Sequence, residues 1–233
     1  MVNPRKAAVL SASVIIAAIL LQRFPGIDYF IQDLFWSPTT KSFFLPPEDP
    51  TLRFFFYSGP KNLIIAIGVT VLGKALYLLK NRRQTEAKPY FYALLALAII
   101  PAICTPMKAH TAVACPNELT RYGGGHEFEA ATFSLASIPS PRCFPAGHAS
   151  GGFALMGLAF IPLARSRKRL FLLGGFLVGN LMGGYQMLRG THFFSHTLVT
   201  IGIAIGVLGI LAFASRRSVR ILSDSSGKLQ KTQ

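Results

Sequence analysis

Charge is scarce in this sequence: 14% of its 233 residues are Asp, Glu, Lys or Arg, against 51% that are hydrophobic. That balance excludes a soluble domain, and the apolar residues fall in membrane-length blocks separated by short basic clusters. Acidic residues are the scarcest charge, nine against 24 Lys and Arg, and the net charge is +15. The excess lies between and after the apolar blocks, so it is a topology signal and an attraction to anionic lipid; it gives no ground for a nucleic-acid partner. Cysteine is limited to Cys104, Cys115 and Cys143. The first apolar stretch, Ala7 to Leu21, lacks a small-residue cleavage site at its end, Gln22-Arg23-Phe24-Pro25. It therefore reads as a retained anchor whose Arg23 snorkels to the interface, not as a removable signal.

Six stretches, 7–23, 61–80, 89–106, 147–164, 170–188 and 193–214, are expected to span the membrane. The fold class is then all-α, a six-transmembrane-helix bundle forming a single membrane domain over residues 1–233. The N-terminus, the 80–88 and 165–169 loops and the 215–233 tail carry 15 of the basic residues, and the opposite side carries eight. The positive-inside rule puts both termini and that tail in the cytoplasm, and the loops 24–60 and 107–146 outside. The first outer loop is rich in aromatics and broken by six prolines, as expected of short amphipathic pieces at headgroup level. The second, with Lys108, His110, Cys115, Arg121, His126 and Cys143, reads as a functional lid. Cys115 and Cys143 share it and are candidates for a disulfide; Cys104 reads as a small packing residue within a helix.

On this topology Lys108, His148, Arg189 and His192 face one aqueous side, although they come from three separate segments. A nucleophilic imidazole with a second imidazole as proton donor is sufficient for phosphoryl transfer when cations hold the phosphate oxygens. His196 lies four residues after His192, on the same helix face. A His-x-x-x-His pair is also a metal-binding pattern, but no carboxylate or third ligand is placed to complete it, so neither metal nor cofactor is expected. Thr200, one turn further on, is expected to hydrogen-bond His196 and fix its tautomer.

The segments Lys108–Pro116, Pro145-Ala146-Gly147-His148 and Tyr185–His196 resemble, in order, the three motifs of the type 2 phosphatidic acid phosphatase superfamily, which includes the vanadium haloperoxidases. Those motifs are lysine, six residues, arginine-proline; proline-serine-glycine-histidine; and serine-arginine, five residues, histidine, three residues, aspartate. Here Cys115 stands at the first arginine, Ala146 at the serine, Tyr185-Gln186 at serine-arginine and His196 at the aspartate. The resemblance implies that His192 attacks phosphorus, His148 protonates the leaving alcohol and His196 supports His192, with Lys108 and Arg189 neutralising charge. Arg121 or Arg142 are candidates for the second missing guanidinium, and the backbone N–H groups of Ala146, Gly147 and His148 for an anion-binding helix start. It further implies a lipid phosphatase of the bacterial inner membrane with a periplasmic site. Its substrate would be lipid A, undecaprenyl diphosphate, phosphatidylglycerol phosphate or phosphatidic acid, its only other partners membrane lipids. The alternatives are a lipid phosphotransferase and a non-catalytic lipid-binding or transport relative.

Overall fold

In the computed structural model, residues 3–46, 49–132, 134 and 141–230 are described, the side chains of 218–230 excepted. Helix α1 (Pro4–Arg23) starts at the Asn3 side chain, which accepts from the amides of Arg5 and Lys6. It lies along the C-terminal helix α8 (Phe194–Gln230). The seam between them is close because Gly206 of α8 faces Ser11, where a Cβ would sit 2.7 Å from Ser11 Oγ, and that hydroxyl donates to Gly202 O at 2.8 Å. Small residues of this kind let apolar helices approach in lipid. Helices α3 (Pro50–Arg53) and α4 (Gly59–Lys80) are joined through a π-turn, Phe54–Ser58. Then come α5 (Gln84–Met107), α6 (Gly147–Ala154) and α7 (Arg165–Leu188).

Among the described residues, five helical stretches are long and apolar enough to cross a membrane: Pro4–Arg23, Pro50–Lys80, Gln84–His110, Arg165–Leu188 and Phe194–Arg217. The stretch expected at 147–164 differs. It is the eight-residue α6 continued by a six-residue 3₁₀ segment, Leu155–Phe160, and by the non-helical residues 161–164 that lead into α7, so it is not one unbroken helix. Its faces are covered by protein: Ala149, Phe153 and Ala154 are fully buried and join Ile100 of α5 and Ala204 and Leu208 of α8 in the main core. Gly152 permits this, since a Cβ there would meet the Gly179 backbone of α7 at 2.5 Å. Glycine is a poor helix former in water, and here packing overrides that preference.

The first outer loop is more ordered than short interfacial pieces. Helix α2 (Gly26–Asp33) leads into a hairpin in which Trp36 and Ser37 pair with Phe43 and Ser42. Helix α2 is apolar outside and polar inside: Ile27 and Phe30 are exposed while Asp28 and Gln32 are buried. Exposed apolar side chains suit the headgroup boundary, and the buried polar ones hold the bundle.

The second outer loop is tied down. Cys115 and Cys143 are bridged, with Cα atoms 5.1 Å apart. The Asn117 amide donates to Gly190 O at 2.8 Å, and the Cys143 amide to Val113 O at 2.9 Å. Arg121 is fixed to α2, its Nη2 and Nε 2.6 and 3.2 Å from the Asp33 carboxylate, which also accepts from the Tyr122 hydroxyl at 2.9 Å. The Arg121 guanidinium holds the Asp33 carboxyl below the usual carboxylate range.

A depressed carboxylate pKa contributes stability above the unfolded-state value that is lost as pH falls through the lowered one. Trp36, the chain's one tryptophan, packs edge-on to Tyr122 with ring centroids 5.6 Å apart and so reports this contact. Its emission should shift to the red only as pH falls below the ordinary carboxylate range. Asp33→Asn should show the shifted emission at neutral pH and little further change on acidification.

Candidate active site

Each functional side chain sits at the end of a helix. Lys108 follows the last residue of α5, His148 is the second residue of α6, and His196 the third of α8. His192 lies in the turn joining α7 to α8. That turn depends on Gly190, whose φ is +69° and where a Cβ would lie 2.2 Å from the Phe43 ring. Gly190 N and Thr191 N donate back to Met187 O and Gln186 O, and Thr191 Oγ1 to Gln186 Oε1 at 2.5 Å. Gln186, at the position of a family arginine, is thus a buried fastener of the turn.

Helix α2 holds the two flanking helix ends. Asp28 accepts from Ser195 N at 2.9 Å and Ser195 Oγ at 2.5 Å, capping α8 from 167 residues away, and Gln32 Nε2 donates to Met187 O at 2.9 Å near the end of α7. Burial pushes the Asp28 carboxyl up while the two bonds from Ser195 pull it down.

The three histidines are contiguous. Ring centroids are 5.7 Å apart for His148 and His192 and 5.6 Å for His192 and His196, whose Nδ1 atoms are 3.4 Å apart. Phe144 and Phe193 meet His196 edge-on. His192 is 2% exposed, and burial, with the Lys108 charge second, holds it well below the ordinary imidazole range. A neutral imidazole is the nucleophilic form.

His148 lines a cavity of about 420 Å³ with Tyr57, Lys61, Thr105, Lys108 and Gly147. The Lys108 side chain runs against Gly147, where a Cβ would be 3.3 Å from Cε and 3.9 Å from Nζ. The positive charges acting on His148 are those of Lys108, Arg189 and Lys61.

Several expectations change here. Arg121 pairs with Asp33 and lies over Tyr29, its centre 4.7 Å from that ring, so it is engaged in holding the lid and does not replace a phosphate-binding arginine. Arg142 is exposed beside Cys143. Arg189 lies over Tyr185 at 5.3 Å and lines a second, outer cavity with Lys41, Asn117 and Tyr122. The Ala146 N–H donates to His196 O at 3.1 Å and the Gly147 N–H to Pro145 O at 3.0 Å, so these two amides serve the fold and not an anion. The Thr200 hydroxyl donates to the backbone carbonyls of His196 and Ala146 at 2.9 and 3.2 Å, not to the imidazole, as helical threonines do when the i−4 carbonyl is in reach.

Cys143 Sγ, His192 and His196 place ligand-type atoms within 4.8 Å of one another. The bridge to Cys115 removes the thiolate that a metal would take, which leaves two imidazoles.

A comparison with protein families matches the PAP2 superfamily over residues 89–220, which include most of α5, the lid, α6, α7 and most of α8. The chain belongs to that superfamily. Comparisons with curated proteins and with solved structures returned no match. Membership makes this chain a phosphatase-type hydrolase of phosphate esters, and its apolar helices make it a membrane protein.

Sequence reasoning missed Lys61, Tyr57, Asp28 and Gln32. Lys61 and Tyr57 were legible as a cation and an aromatic one turn apart at the outer end of an apolar helix. Asp28 offered only its rarity as an acid.

Asp28→Ala leaves the Ser195 donors buried without an acceptor, at a cost of about 1–3 kcal/mol, and loosens the turn that carries His192. Thermal unfolding in detergent should show lowered stability, and turnover should fall further than the lost folded fraction accounts for. Asp28→Asn, which keeps an acceptor oxygen, should recover most of both.

Proposed function

We propose that this protein is a lipid phosphatase working through a phosphohistidine. The observation that carries the reading is the buried His192 imidazole in ring contact with His148, which opens on a lysine-lined cavity. That cavity shares Ile64 and Met182 with an apolar groove lined by Phe54, Phe55, Phe56 and Leu181, between α4 and α7. A headgroup phosphate placed among Lys108, Lys61 and His148 leaves its acyl chain a continuous apolar path to the bilayer. His148 Nδ1 is buried without a hydrogen-bond partner among the described residues, as expected of a group that acts on a ligand.

In this scheme a nitrogen of His192 attacks phosphorus in line with the ester oxygen, and the ester bond breaks as His148 gives its proton to the departing alcohol. Water, deprotonated by the now neutral His148, then attacks the phosphohistidine and releases phosphate. Lys108, Lys61 and Arg189 offset charge on the equatorial oxygens. His196 accepts from or donates to His192 Nδ1 and sets its tautomer. The positive-inside distribution of basic residues favours an inner-membrane protein with both termini cytoplasmic and this site on the periplasmic face.

Purified protein offered phosphatidic acid, phosphatidylglycerol phosphate, undecaprenyl diphosphate and a phosphorylated lipid A should release phosphate from at least one. His192→Ala should abolish release, and His148→Ala should lower it by about 10²–10⁴-fold, the usual worth of a general acid. Absence of release from every lipid phosphate, or full activity in a folded His192→Ala protein, overturns the reading.

A further inference from the structure

At the opposite end of α7 from the histidines lies a cavity of about 380 Å³ formed by the 3₁₀ segment, the start of α7 and α8. The cavity is lined by residues 165–172 of the 24-residue α7, so it lies roughly 24–36 Å along the helix from the turn that carries His192. Arg165, Lys168 and Arg169 line its rim, and Met156, Phe160, Leu172, Leu208 and Ala212 its wall. None of the three cations has a carboxylate partner among the described residues; the ion pairs there are Arg83–Glu86 and Arg121–Asp33. Directly after the cationic turn, Leu170 and Leu173 are 66% and 61% exposed. That change along one helix surface marks the boundary between headgroups and hydrocarbon.

We propose that this cavity binds an anionic phospholipid of the leaflet remote from the histidines, its phosphate among Arg165, Lys168 and Arg169 and an acyl chain against Phe160 and Leu208. A free anion would use the cations and leave the wall unmatched, and a neutral lipid would do the reverse. An anionic phospholipid matches both, and three cations lining one cavity give the selectivity. Held at that distance, the lipid is a structural or regulatory ligand and not the molecule hydrolysed.

The test is native mass spectrometry of the full chain in neutral detergent after exposure to phosphatidylglycerol or to phosphatidylcholine with the same acyl chains. Phosphatidylglycerol should be retained preferentially, and excess inorganic phosphate should not displace it. Arg165→Ala, Lys168→Ala and Arg169→Ala should each lower retention roughly fivefold, the effect of one cation near an anionic lipid surface. Ala159→Phe, at a half-buried wall position, fills the cavity without changing charge and should lower retention as well. Lys80→Ala, a basic residue at the end of α4 outside the cavity, should leave it unchanged. Equal retention of phosphatidylcholine, displacement by inorganic phosphate, or unchanged binding in folded Ala159→Phe would each overturn the proposal. The readout is lipid retention, so the outcome is independent of turnover at His192.

Discussion

The position of His192 depends on how one short helix grips the ends of two long ones. Helix α7 ends at Leu188 and α8 begins at Phe194, and a junction of that kind exposes unsatisfied carbonyls on one side and unsatisfied amides on the other. Helix α2 reaches both, Gln32 adding a second donor to Met187 O beside the Gly190 amide and Asp28 accepting from Ser195. Placing these polar groups inside turns the apolar side of α2 outward, where the headgroup region accepts it. The lid adds a second restraint, because the Cys115–Cys143 bridge and the Asn117 to Gly190 bond tie it to the same turn. The histidines are thus preorganised by elements that themselves carry no chemistry.

The charge arrangement follows the same economy. Cations reach the site from two helix ends and the α7–α8 turn: Lys61 at the start of α4, Lys108 at the end of α5 and Arg189 in the turn. Ala146 gives up its amide to His196 O, which joins the α6 start to the α8 start and keeps His148 within one ring contact of His192. In the proposed mechanism an imidazole at 196, where the family has an aspartate, supplies a hydrogen bond without a negative charge, which leaves more of the electrostatic work to the lysines.

Much of the bundle was legible because a bilayer imposes length on whatever crosses it, and apolar blocks of that length stand out in any sequence. Hydropathy could not show that 147–164 is a short helix continued by a 3₁₀ segment inside the bundle, since a buried glycine-rich segment and a lipid-facing helix are equally apolar; the close packing of Gly152 on Gly179 and of Gly157 on Ala96 sets it apart. The sequence singled out Lys108, His148, His192 and His196, and the fold brings the three imidazoles into contact; local spacing accounts for the His192–His196 pair alone, the rest being tertiary packing. The roles of Arg121, Asp28 and Thr200 were not legible. Arg121 meets Asp33, 88 residues away, and Asp28 meets Ser195, 167 residues away, and no local pattern encodes such pairings. Thr200 prefers the carbonyl one turn back over a side chain, a competition that backbone geometry decides.

The central claim is that His192 is the nucleophile, and rapid quenching of a reaction with a ³²P-labelled lipid phosphate tests it most directly. The account predicts a phosphoprotein stable in base and labile in acid, with the label on the peptide containing His192 and none in His192→Ala. Turnover with no labelled protein at any quench time, or a label that maps to His148 or His196, would contradict it.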